Sequence, residues 1–123
     1  LNTKGSLAFN SRHPQGRPTT SCGSGANLVN GVRYYSMGGT WVFSNVFDIT
    51  DAAMGAGALF FGFEQNDGVV GRCSSRWGTV LRDDYPWNHL DEVNQAFGLR
   101  GLFTSDPRSV YRAQANRLKN LGL

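Results

Sequence analysis

The sequence predicts an α/β fold, and three observations carry that prediction. Two short runs rich in β-branched and aromatic residues, 32–37 and 77–82, are bounded by turn residues, which is the pattern of strands. Two other stretches carry helix-start chemistry: Asp48 ahead of an Ala-, Met- and Gly-rich segment, and Ser105-Asp106-Pro107 ahead of an amphipathic run to Leu121. The chain has 123 residues, 40% apolar and 17% charged, which is enough for one small domain with a core and argues against disorder. Its 16 glycines and 12% aromatic content suggest many loops anchored by bulky side chains.

Taken in order, residues 1–25 are polar and punctuated by Arg12-His13-Pro14-Gln15-Gly16-Arg17-Pro18, and read as a loop. His13, alone between Arg12 and Pro14, reads as a solvent-exposed loop histidine. Asn30-Gly31 is a turn signal, and 32–37 is then the second arm of a hairpin, ended by Gly38-Gly39. Asp48 has the chemistry to cap the short helix that follows, or alternatively to give an oxygen to a metal. The apolar run 58–63 reads as a strand that finishes in a tight turn at Asn66-Asp67-Gly68. Asp67 is there either a turn former or an acid that orients a histidine.

Strand 77–82 is closed by Asp83-Asp84-Tyr85-Pro86. The next segment, Trp87-Asn88-His89-Leu90-Asp91-Glu92-Val93-Asn94-Gln95, is expected to run into a helical turn through Phe97 that Gly98 stops. Residues 99–103 read as a connector. In the last helix a capping oxygen precedes Pro107, whose fixed φ suits the first turn. Val110, Tyr111, Ala115, Leu118 and Leu121 form a stripe for a core, with Arg108, Arg112 and Lys119 on a solvated face.

Composition excludes some function classes. The net charge of +3 is mild and its basic residues are scattered, so no nucleic acid partner is expected. No apolar run is long enough to span a bilayer. The chain starts at Leu1 without a signal peptide, so either a leader has been removed or the sequence is part of something longer. Cys22 and Cys73 lie in polar, Gly- or Ser-rich surroundings, which favours a disulfide over buried thiols, and hence an oxidising compartment.

The densest chemistry is in 87–95. Asp91 and Gln95 are four apart, so on a helix they share a face, and both offer the oxygen ligands that calcium prefers. A clamp there would steady His89, expected in the loop just before the turn. An acid after one strand (Asp67) and a histidine in the loop after the next (His89) also follow the chain order of the acid and base of an α/β-hydrolase triad.

At this point the sequence resembles a family. Asn66-Asp67-Gly68, Cys73-Ser74-Ser75, Asn88-His89-Leu90-Asp91-Glu92-Val93-Asn94-Gln95 and Ala115-Asn116-Arg117-Leu118-Lys119 look like the C-terminal part of the secreted bacterial triacylglycerol lipases of the Pseudomonas and Burkholderia type. The likeness extends over nearly the whole chain. It implies an α/β-hydrolase fold in which residues 1–123 are the C-terminal segment of a single domain. It further implies that Asp67 is the triad acid and His89 the base, and that Cys22 pairs with Cys73. Structural calcium would be held by Asp48, Asp91, Gln95 and, through its backbone oxygen, Leu99. Glu92 is a possible substitute carboxylate near His89 by adjacency alone.

One departure is large. The family's nucleophile sits in Gly-x-Ser-x-Gly, and no serine here has a glycine two before and two after it. The oxyanion donor beside it, the first strands and most of the lid are expected to be missing as well. The resemblance therefore implies a lipase acting on acylglycerols at a lipid–water interface only together with an N-terminal segment. It also implies export through the periplasm with a dedicated membrane-anchored foldase. Two rival expectations are a secreted, non-catalytic calcium-binding module and a different α/β-hydrolase, an esterase or phospholipase.

Overall fold

The computed structural model describes residues 3–43, 49–94 and 104–123. It is a mixed α/β arrangement with open sheets, and the chain forms two compact units. The first comprises Leu1–Met37 and Cys73–Asp83; the second comprises Gly38–Arg72 and Asp84–Leu123.

The first unit opens with helix α1 (Thr3–Arg12), where the sequence suggested a loop. None of its residues is buried. It is held by local contacts: the His13 N–H donates to the Phe9 carbonyl at 2.9 Å, and the two rings lie 4.6 Å apart. His13 is exposed, as expected. The hairpin is β1 (Leu28–Val29) and β2 (Val32–Arg33), antiparallel, with Val29 opposite Val32. Asn30 and Gly31 both take positive φ, 51° and 80°, which is the twist that a two-residue hairpin turn requires. The expected strand 32–37 breaks at Tyr34 and resumes as β3 (Tyr35–Gly39), which runs through the two glycines.

Cys22 and Cys73 form a disulfide across 51 residues of sequence. Close by in the same unit, the Arg76 guanidinium donates to the Cys22 carbonyl and pairs with Asp83 at 2.7 Å. Gly78 sits where an added Cβ would overlap the Tyr34 carbonyl, so a side chain there would push the strands apart.

β4 (Thr79–Tyr85) pairs with β3 in a second two-stranded sheet, and extends three residues beyond the expected end at Arg82. Thr79 donates to the Tyr34 carbonyl and Thr40 to that of Tyr85, so the pairing advances in the same direction along both strands. That is a parallel pair, which needs a crossover connection rather than a tight turn.

In the second unit, α2 (Ile49–Ala58) and a 3₁₀ turn (Leu59–Phe61) lie in that crossover. The run 58–63 is therefore helical and turn-like, not a strand. A short apolar run has no periodicity of its own, and here it continues the helix. Asp67 accordingly follows a helical element; its turn is bracketed by an isolated bridge between Asn66 and Gly71. The unit's buried apolar centre is Tyr85 stacked on Trp87, ring centroids 4.1 Å apart, and the Trp87 indole N–H donates to the Ser105 carbonyl at 2.7 Å.

Helix α3 (His89–Glu92) is a single turn, and Val93 caps it. Asn94 takes φ 55°, a left-handed conformation that breaks the helix. The helical turn expected to run through Phe97 therefore ends at Glu92. Gln95 and Phe97, with the expected sharing of a face by Asp91 and Gln95, lie outside the described residues. Helix α4 (Pro107–Asn120) starts as expected, with Asp106 accepting from the Arg108 N–H at 3.0 Å and Pro107 buried in its first turn. Its half-buried positions are Val110, Gln114, Arg117 and Leu118, whereas Tyr111, Ala115 and Leu121 are exposed. Among the described residues no helix is long and apolar enough to cross a membrane.

Candidate functional site

The turn 66–71 is built from its own side chains. Asn66 accepts from the Gly68 N–H at 2.9 Å and donates to the Glu64 carbonyl at 2.9 Å. Asp67 Oδ1 takes the N–H groups of Val69 and Val70, at 2.9 and 2.7 Å. Gly68 makes this possible with φ 97°, and an added Cβ would meet Met54. With Oδ1 committed to the backbone, Oδ2 of this buried carboxylate points one way. It lies 2.8 Å from His89 Nδ1.

His89 is fixed at a second point, because its backbone N–H donates to the Asp67 carbonyl at 2.9 Å. An ionised Asp67 accepts only, so Nδ1 carries the proton and Nε2 is left with its lone pair. The His89 side chain is 41% exposed against 6% for Asp67. A buried acid thus holds an imidazole whose other nitrogen is available to a reactant.

His89 is not in a loop. It is the first residue of α3, and Asn88 is the cap. Asn88 Oδ1 accepts from the N–H groups of Leu90 and Asp91, both at 2.9 Å, while Asp91 Oδ2 accepts from the Asn88 N–H at 3.2 Å. This reciprocal box satisfies the donors that a helix start leaves open. Asn88 Nδ2 donates to Asp51 Oδ1 on α2 at 2.7 Å. Asn88, Asp91 and Asp51 are all buried, at 0%, 1% and 5% exposure.

Glu92 completes the surroundings. Its Oε1 accepts from the Gly39 N–H at 2.6 Å, tying α3 to the end of β3. Burial pushes its carboxyl above the usual range, the Gly39 hydrogen bond opposes that, and the charges of Asp67 and Asp91 add to it. One ligand atom each from Asp67, His89 and Glu92 lies within 4.8 Å of the others, so these three can coordinate a metal ion.

Of the residues singled out in the sequence, Asp67 and His89 are brought into contact, and Cys22 and Cys73 are joined. Asp91 is two residues beyond His89, with its carboxylate in the capping box rather than in the metal-capable group. Asp48, Gln95 and Leu99 lie outside the described residues. Sequence reasoning gave no role to Asn88 or Asp51. The spacing of Asn88 and Asp91, cap and third helical residue, was the available signal for the first; nothing local links residue 51 to residue 88.

With this geometry in view, likeness to known proteins decides the family relation. The whole chain aligns at 53% identity with a triacylglycerol lipase of Vibrio cholerae, covering 39% of that protein. It aligns at 42% identity with one of Pseudomonas fragi, covering 44% of it. The chain is homologous to triacylglycerol lipases. A triacylglycerol lipase of Burkholderia plantarii is 47% identical over 88 residues, 69% of this chain and 25% of the relative. The chain thus spans about two fifths of the length of the two relatives it matches throughout. No family model matches it.

Proposed function

We propose that this chain is the C-terminal part of an α/β-hydrolase that cleaves triacylglycerols at a lipid–water interface. The observation that carries the reading is the buried Asp67 carboxylate, 2.8 Å from His89 Nδ1, in a chain homologous throughout to triacylglycerol lipases. His89 takes the proton of a serine as that serine attacks the ester carbonyl, then delivers it to the departing alcohol. Asp67 holds the productive tautomer and stabilises the imidazolium. The serine and its oxyanion donors belong to an N-terminal segment, without which the pair lacks the groups that contribute most of the acceleration. Export to the cell exterior and a membrane-anchored foldase belong to the same proposal.

Calcium fits as a structural ion. The hard oxygen of Asp91, 1% exposed and placed in the cap of α3, is the kind of donor this cation selects. Asp48, Gln95 and Leu99 are proposed to complete the set. Bound there, the ion would hold the segment behind His89 and supply no acid–base chemistry.

The test is hydrolysis of emulsified long-chain triacylglycerol by the full-length protein and its His89→Ala variant. The expected loss is about 10³-fold or more, the scale on which triad members act. Activity within a few-fold of the parent would sink the reading and leave the non-catalytic calcium module standing. Activity confined to phospholipids or soluble esters would favour the other α/β-hydrolases.

A further inference from the structure

We propose that Asp51 is a positioning residue for His89, acting through Asn88. The inference rests on the catalytic reading above, since it concerns how the base is held. It starts from a side-chain amide with 0% exposure, whose oxygen and nitrogen have opposite needs. Asn88 Oδ1 faces two backbone donors, those of Leu90 and Asp91. Its Nδ2 therefore requires an acceptor on the other side, and Asp51 Oδ1 is that acceptor at 2.7 Å.

An ionised carboxylate only accepts, so Asp51 fixes which way round the amide sits. A flipped Asn88 would aim its oxygen at the carboxylate and its amino group at two N–H donors, losing three hydrogen bonds at once. Asp51 is itself anchored in the first turn of α2, where a helix favours negative charge. The path is short and contiguous: α2, Asp51, Asn88, then the first residue of α3, which is His89. Asp67 grips the imidazole and the backbone of His89 from one side, through Nδ1 and the N–H. The Asn88 amide sets the backbone from which that side chain projects. Two grips define an orientation that one leaves loose.

Hydrogen-bond reversal separates positioning from mere packing. Asn88→Asp keeps an oxygen for the two N–H groups but turns a second oxygen towards Asp51. Adding Asp51→Asn restores the bond with the donor on the opposite partner. In the full-length protein, Asn88→Asp and Asp51→Leu are expected to lower kcat by about tenfold with little change in KM, while Asp51→Asn and the double variant stay near the parent. Nitrogen NMR of the His89 ring gives a readout independent of turnover: the Nδ1–H resonance should shift in Asn88→Asp and return in the double variant.

Should Asp51→Leu fail to fold, the comparison of Asn88→Asp with the double variant still decides. A double variant no better than Asn88→Asp, or Asn88→Asp and Asp51→Leu variants that melt lower but keep kcat and the resonance, would overturn the positioning role. If the parent protein hydrolyses no ester at all, the catalytic reading fails, and the ring resonance alone tests whether Asp51 orients His89.

Discussion

At the residue scale, Asp67 carries two tasks on two oxygens. Oδ1 closes the turn on Val69 and Val70, and Oδ2 meets His89. Substitutions can separate them. Asp67→Asn retains an oxygen for the turn but, with that oxygen so placed, presents an N–H to Nδ1 and forces the wrong tautomer. In the full-length protein kcat on a soluble ester should fall about 10⁴-fold, as for the acid of a serine protease triad, while the melting temperature stays near the parent's. Asp67→Ala should add a stability loss of about 1–3 kcal/mol, because two backbone donors lose their acceptor. Equal melting temperatures for the two variants would show that the turn does not depend on Oδ1. Asp67 and His89, which the structure brings into contact, stood out in the sequence because Asn-Asp-Gly is a turn signal and a lone histidine after a strand is conspicuous. The Asp51–Asn88 contact was not, because it joins residues 37 positions apart through a fold that no local pattern encodes.

At the element scale, legibility followed how much of each element's signal was local. The hairpin was readable because Asn30-Gly31 accepts positive φ, and α4 because Asp106 and Pro107 mark its start. Helix α1 was not, since it buries no residue and so shows no apolar stripe. The run 58–63 misled because a short apolar segment fits a strand as well as the end of a helix, and α3 stopped early because Asn94 leaves the helical region. The join between β3 and α3 yields an element-scale prediction. Gly39 donates to Glu92 Oε1, and a Cβ added there would collide with the backbone carbonyl of Trp87. Trp87 is buried and directly precedes the cap Asn88, so it has little room to yield. Gly39→Ala should destabilise by about 1–3 kcal/mol, the range for forcing extra volume into a packed site. Urea denaturation checks it: an unchanged midpoint and slope would mean that the strand end shifts freely.

At the scale of the whole molecule, the described residues expose large apolar side chains, including Phe60 at 91% and Phe63 at 108%, while the buried apolar centre is Tyr85 and Trp87. That balance is in keeping with the N-terminal segment proposed above, a feature composition alone did not reveal. It also sets the form of the calcium prediction, which belongs to the full-length protein. Two locations are to be told apart: the proposed one at the Asp91 carboxylate, and the group Asp67, His89 and Glu92, whose ligand atoms lie within 4.8 Å of one another. An ion in the second would occupy the imidazole to which the proposed mechanism gives the proton, and would inhibit. An ion at Asp91 would hold the α3 segment and leave the imidazole free, so its removal should slow hydrolysis, most severely on warming. Prolonged chelation is expected to lower the melting temperature by several degrees, since a ligand at a hundredfold excess over its Kd stabilises by about 2.7 kcal/mol. Added calcium should restore both properties. Asp91→Asn, which keeps an acceptor for the Asn88 N–H, locates the ion: the variant should melt as the chelated parent does and respond no further to chelator. If it still loses melting temperature on chelation, the cation sits elsewhere. If chelation strips the metal and changes neither activity nor melting, calcium has no structural part in this protein.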